Sequence, residues 1–152
     1  MSDPHPGTGQ PPAGGFAPLV PELLVTDIAA SLHHWCAFFG FSIAYRRPSE
    51  GFAYLQRHDG CQIMLCARSG AWESGPLDRP FGRGVLFQLF VDDIAPIAAR
   101  LAAADQPLHM PEREVWRSYG DRLGGRREIA AADPDGYLIL FAQNIGTRPL
   151  QP

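Results

Sequence analysis

A chain of 152 residues with 45% hydrophobic and 19% charged side chains has the make-up of one globular domain, long enough to bury a core without disulfide staples. Its net charge of -3 supplies no basic field, which argues against nucleic acid or an anionic membrane as partner. All 13 basic side chains are arginine, so Schiff-base lysines, lysine general bases and the lysine of a phosphate-binding P-loop are excluded.

Residues 1–18 carry five prolines and four glycines with Phe16 as the one large apolar side chain inside the run, and they are expected to form a disordered Pro/Gly-rich tail or an arm that packs on a partner subunit through Phe16. The beginning of the chain has neither a basic nor an apolar leader segment, and no apolar run approaches the roughly 18 residues of a membrane span, so the expected compartment is the cytoplasm. Cys36, Cys61 and Cys66 are odd in number and point to no disulfide framework.

The folded part contains a weak internal repeat. Val25, Asp27, Ile28 and Ala29 recur as Val91, Asp93, Ile94 and Ala95, with Leu23 matching Leu89 upstream. Each copy begins as an apolar strand, Leu19 to Val25 or Val85 to Val91, and ends in an Asp suited to cap a following helix. Helix one is predicted from about Ile28 to Phe39, with Ile28, Leu32, Trp35 and Phe39 on one stripe and Gly40 as its left-handed stop. Helix two is predicted over Ile94 to Ala104, tolerating Pro96 because it falls in the first turn. Trp35 and Phe38, at helical spacing, read as core.

Three strand-like stretches follow each helix: Ser42 to Arg46, Gly51 to Arg57 and Gln62 to Ala67, then Leu108 to Glu112, Arg127 to Ala131 and Tyr137 to Gln143. Asp59-Gly60 with Ile63 matches Asp135-Gly136 with Ile139 at a spacing about ten residues longer than before, so the second copy holds additional residues, predicted around Glu112 to Gly125. In that stretch Trp116, Arg117 and Tyr119 could form a lid that stacks on a planar ligand, with Arg126, Arg127 and Glu128 orienting its wall.

Two successive β-α-β-β-β patterns, carried by residues 20–32, Phe38-Phe39-Gly40-Phe41, Phe90-Val91-Asp92-Asp93-Ile94 and residues 133–143, resemble the vicinal oxygen chelate superfamily of glyoxalase I, extradiol dioxygenases, fosfomycin resistance proteins and bleomycin resistance proteins. Pro21-Glu22-Leu23 and Arg126-Arg127-Glu128 before Asp133-Pro134-Asp135-Gly136 look most like the bleomycin resistance branch. The resemblance implies an α+β fold in which two βαβββ modules, 19–70 and 84–146, build an incomplete mixed β-barrel or curved sheet with the helices outside, as a single domain over 19–146. It also implies a homodimer.

Metal-dependent members of that superfamily place one ligand on the first and one on the last strand of each module. The matching positions are Val20, Met64, Leu86 and Leu140, none of which can hold a hard divalent cation, and no metal or other cofactor is expected. Strand period then puts Glu22, Leu24, Gln62, Cys66, Gln88, Phe90, Leu138 and Ala142 on the same face as those four, and an apolar set, Leu23, Val25, Ile63, Leu65, Phe87, Leu89, Val91, Ile139 and Phe141, under the helices. The first face mixes apolar surface with a few polar groups, as a cleft for an organic ligand does. The candidate ligand-binding residues are therefore Glu22, Gln62, Met64, Gln88, Phe90, Trp116, Tyr119, Arg127 and Leu140, with no catalytic residue assigned. They point to a metal-free protein that sequesters a drug-like or aromatic molecule in a dimer cleft.

The alternative is a metal-dependent glyoxalase- or dioxygenase-type enzyme drawing atypical ligands such as Glu22, His109 or Glu112; a third reading is an interaction module with a vestigial cavity. His33 and His34 are adjacent on a helix and cannot share one ion, and Asp133-Pro134-Asp135-Gly136 is a turn rather than a calcium loop. No nucleophile elbow, Walker motif or dinucleotide fingerprint is present.

Overall fold

The repeated pattern folds as two units divided after Phe81 in the computed structural model, which describes residues 7–150. In the first unit the elements are β1 (Thr8–Gly9), β2 (Glu22–Val25), α1 (Ile28–Ala37), β3 (Ser42–Arg47), β4 (Phe52–Gln56) and β5 (Gln62–Ala67). They build a five-stranded mixed sheet in the order β1-β3-β4-β5-β2. Here α1 carries the chain from β2 to β3, and β5, two hairpin-linked antiparallel strands further on, returns to lie parallel beside β2.

Local chemistry places α1. The Oδ1 of Asp27 accepts hydrogen bonds from the backbone N–H of Ala29 and Ala30 at 2.9 and 3.0 Å, satisfying two of the donors that a helix start leaves open. After Ala37 the chain turns at Gly40, whose φ of +77° suits a residue without a Cβ, and Phe41 N–H then reaches Trp35 carbonyl oxygen at 3.1 Å. Trp35 and Phe39 are buried edge to face, and Leu23, Val25, Ala53, Leu55, Ile63 and Leu65 are buried on the sheet face that alternates inward. Arg57 is also buried: its Nε meets Asp59 at 2.9 Å and its Nη1 donates to the carbonyl of Phe39, tying the β4–β5 turn to the end of α1.

The second unit contains β6 (Leu86–Phe90), α2 (Ala95–Ala103), β7 (Leu108–Tyr119), β8 (Arg122–Ala132) and β9 (Leu138–Pro149), with a four-stranded sheet ordered β6-β9-β8-β7. β6 is parallel to β9, and the other pairs are antiparallel. Leu89, Val91, Ile129, Ala131, Ile139 and Phe141 form its buried face together with Ile94, Ile97 and Leu101. Asp133 Oδ1 accepts from the N–H groups of Asp135 and Tyr137 at 3.0 and 2.9 Å and fixes the turn into β9. The fold is α+β with two helices and mixed sheets, neither closed into a barrel.

Several expectations change: helix one ends at Ala37 rather than Phe39, and the strand before it begins at Glu22 rather than Leu19. Helix two starts at Ala95 rather than Ile94: its first backbone bond runs from Ala98 N–H to the Ile94 carbonyl at 3.0 Å, and Asp93 Oδ1 accepts from Ala95 N–H at 2.9 Å just ahead of it. The stretch 112–125 is not a loop: β7 and β8 continue through it in register and turn at Gly120-Asp121, and β9 extends to Pro149 beside them. Residues 7–18, read from the sequence as part of a disordered tail or arm, lie ordered on the first sheet. Thr8 and Gly9 pair with Arg46 and Tyr45, and Gln10 N–H donates to Ala44 carbonyl at 3.1 Å. The remainder of that segment, residues 1–6, lies outside the described residues.

Candidate functional site

In the first unit, strand register aligns Glu22 with Met64 and Met64 with Tyr54, so these three share one row on the face opposite the apolar core. Gln62 lies two residues before Met64 on the same face. Its amide is already engaged: Oε1 accepts from Ala17 N–H at 2.8 Å and from the Tyr54 hydroxyl at 2.5 Å, and Nε2 donates to Gly15 carbonyl at 2.9 Å. The Phe16 ring meets Tyr54 edge-on with centroids 5.4 Å apart. Gln62 therefore holds the N-terminal segment, a role that no strand pattern signalled. Glu22 is exposed, and the Cys66 thiol is pushed up by burial and by the neighbouring Glu22 carboxylate.

In the second unit Gln88 pairs with Leu140, Phe90 with Ala142, and Ala142 with Glu128, which puts Gln88, Phe90 and Leu140 on one face as the alternation predicts. Leu86 and Phe90 remain 54% and 47% exposed there, so β6 offers apolar surface on that face. The same face carries two depressions. One, of about 370 Å³, is lined by Leu86, Met110, Leu138 and Leu140 with His109 and Arg113 at its polar side. The other, of about 420 Å³, is lined by Phe90, Arg117, Tyr119, Arg126, Asn144 and Thr147 over the main chain of Gly124, Gly125 and Gly146.

The three ribbon residues proposed as a lid do not act together. In an uninterrupted strand Trp116 and Tyr119, three positions apart, point to opposite faces. Tyr119 lies over Gly124, where a Cβ would come within 2.5 Å of its ring, and Trp116 lies over Gly125, where a Cβ would come within 2.6 to 2.7 Å of three ring carbons. Trp116 Nε1 donates to Glu114 at 2.7 Å and the Arg148 guanidinium covers the ring at 3.9 Å from its centroid. Arg127 also falls on the far face, where it pairs with Glu112 at 3.1 Å. Neither Trp116 nor Arg127 is brought together with Phe90, Tyr119 and Leu140.

What sequence reading missed is the system centred on Glu128. This carboxylate has no exposed surface, yet Arg117 reaches Oε1 at 2.6 Å and Oε2 at 3.2 Å, and Arg113 donates to Oε2 through Nε at 3.2 Å and Nη2 at 3.1 Å. Burial alone would raise its pKa, but the hydrogen bonds and charges of Arg117 and Arg113 hold the carboxyl below its ordinary range. The signal was available as parity, since Arg113, Arg117 and Tyr119 alternate with Glu112, Glu114 and Trp116 along β7.

At the positions that the sequence resemblance marks for metal ligands, Val20 just ahead of β2 and Met64, Leu86 and Leu140 within strands present alkyl and thioether groups, which do not fit a hard divalent ion. Among the described residues no group of three or more His, Cys, Asp or Glu side chains converges on a common point.

Two β-α-β-β-β units, each with its first strand parallel to its last and an apolar face under a capped helix, define a paired-module α+β protein. The profile of the Glyoxalase/Bleomycin resistance protein/Dioxygenase superfamily matches residues 16–141, and the chain belongs to that superfamily. Bleomycin resistance proteins from Geobacillus stearothermophilus and Staphylococcus aureus are each 27% identical to it over 132 residues, spanning 83% of this chain and 96% of theirs. Among solved structures, the bleomycin resistance determinant encoded on transposon Tn5 shares the fold at 22% identity and a TM-score of 0.58, over 86% of this chain and 100% of that one. TioX from Micromonospora sp. ML1 does so at 21% identity and a TM-score of 0.61, over 83% of this chain and 98% of its own. Among the described residues no helix is long and apolar enough to cross a membrane.

Proposed function

We propose that this chain is a small-molecule binding protein of the bleomycin resistance kind, which sequesters a drug-like or aromatic ligand without altering it in a cleft that two copies complete. The observation that carries the reading is the chemistry of one sheet face. Leu86, Met110, Leu138 and Leu140 line one depression with His109 and Arg113 as its polar groups, the composition of a site that holds an organic molecule and orients it, and the Phe90 and Tyr119 rings flank a second whose other side chains are polar. The 27% identity to bleomycin resistance proteins supports the same assignment, and Val20, Met64, Leu86 and Leu140 offer nothing to a metal-activated reaction.

Isothermal titration against bleomycin and a panel of planar aromatic compounds tests this, with mass spectrometry of the recovered ligand. Saturable binding with the ligand returned unchanged is expected. A bound compound at 100 times its Kd should stabilise the fold by about 2.7 kcal/mol, visible as a higher melting temperature. Absence of binding at millimolar concentration, or turnover that a chelator abolishes, overturns the reading. Sedimentation velocity should give twice the 16.6 kDa chain mass, and a monomer that still binds ligand would remove the two-copy cleft.

A further inference from the structure

Four guanidiniums share one face of the β7–β8 ribbon, and the acids do not balance them. Arg113, Arg117, Arg122 and Arg126 alternate onto the face that also carries Phe90 and Tyr119. The ribbon's carboxylate on that side is Glu128, shared by Arg113 and Arg117. Glu112 and Glu114 fall on the opposite face, committed to Arg127 and to Trp116.

Arg122 and Arg126 are left without a share of Glu128, and since Arg122 donates to the Thr147 hydroxyl at 3.1 Å, the candidate anchor is Arg126. Its guanidinium lies 4.8 Å from the centroid of the Phe90 ring, and among the described residues no carboxylate pairs with it. Stacking on a ring leaves the N–H edges of a guanidinium free to take two oxygens of one anion. It stands at the depression floored by the main chain of Gly124, Gly125 and Gly146, with the Phe90 and Tyr119 rings as apolar walls. The Tyr119 ring already covers Gly124, while the Cβ side of Gly146 is open, and the two aromatic rings beside it favour a ring. Arg117 lines the same depression but spends its fork on Glu128, so it adds positive field rather than a second anchor.

We propose that this depression recognises a planar aromatic carboxylate, the carboxylate on the Arg126 fork and the ring against Phe90 and Tyr119. The inference rests on the ligand-binding reading above and narrows it from drug-like molecules in general to anions.

The test is titration of the full chain with 2-naphthoate, its neutral isostere 2-naphthamide and its cationic isostere naphthalene-2-carboxamidine. Naphthoate should bind about tenfold or more tighter than either, because a charge-assisted fork is the stronger contact, and its affinity should fall with added salt. Arg126→Gln should remove most of that preference, lowering naphthoate affinity much further than naphthamide affinity, and Phe90→Leu should weaken naphthoate and naphthamide alike, which keeps a readout should Arg126→Gln fail to fold. Equal or tighter binding of the amidine, or unchanged naphthoate affinity in a folded Arg126→Gln, overturns the proposal. If compounds of the broader panel bind and naphthoate does not, the anion assignment fails alone; if nothing binds, the ligand-binding reading fails with it.

Discussion

Glu128 shows how a single buried charge is kept ionised. Two guanidiniums, 48% and 47% exposed, close over it and supply the hydrogen bonds that water would otherwise give. Because both arginines keep a wet side, the network is worth less than a fully buried ion pair, and Glu128→Gln should cost about 1–3 kcal/mol by urea denaturation at neutral pH. The pH dependence has a definite sign. A carboxyl held below its ordinary range binds fewer protons folded than unfolded, so its stabilisation is complete above the unfolded titration near about 4.3 and is lost as pH falls through the folded one. The stability gap between the parent and Glu128→Gln should therefore narrow on acidification below that range; a gap that stays constant would mean ionisation of Glu128 is not what holds Arg113 and Arg117.

At the scale of elements, the two helix starts form a natural comparison. Asp27 accepts from two backbone N–H groups and Asp93 from one, so Asp27→Ala should cost about 1 kcal/mol and Asp93→Ala less, measured as the shift in denaturation midpoint. Both aspartates, both helices and the inward apolar set were legible in the sequence, since a capping Asp and a period-2 apolar run are local signals. The ribbon was not, because Glu112 to Tyr119 is polar on both faces and so lacks the hydrophobic alternation by which strands are recognised, and because Gly124-Gly125 reads as loop punctuation. In the folded chain those glycines instead make room for the Tyr119 and Trp116 rings. Gly125→Ala should displace Trp116, destabilising the protein by about 1–3 kcal/mol and altering tryptophan fluorescence. The N-terminal segment escaped for a different reason: its Pro/Gly composition is that of a disordered chain, and its ordering depends on long-range bonds to Gln62 that no local pattern reports.

At the scale of the whole molecule, a duplicated module leaves a seam, and the arginines make it addressable by protease. Cleavage by trypsin needs an arginine in backbone that can leave its neighbours and fit an extended groove, which paired strands and helices resist. Arg46, Arg113, Arg117, Arg122, Arg126 and Arg127 are held in sheet ladders and Arg100 in α2, while Arg57 is buried, its N–H on the Cys61 carbonyl and its guanidinium on Asp59 and the Phe39 carbonyl. Arg47, Arg79 and Arg148 precede proline, which trypsin does not cleave. Between β5 and β6 two arginines remain. Arg68 is gripped by both oxygens of Glu73, at 2.9 and 2.8 Å, and its N–H bonds Val25 carbonyl, whereas Arg83 is exposed between two glycines of positive φ. Limited trypsinolysis should therefore cut first after Arg83, giving fragments 1–83 and 84–152 by intact mass. First cleavage within β7–β8 would instead mean that the ribbon opens more readily than the seam, and with it the Arg126 face.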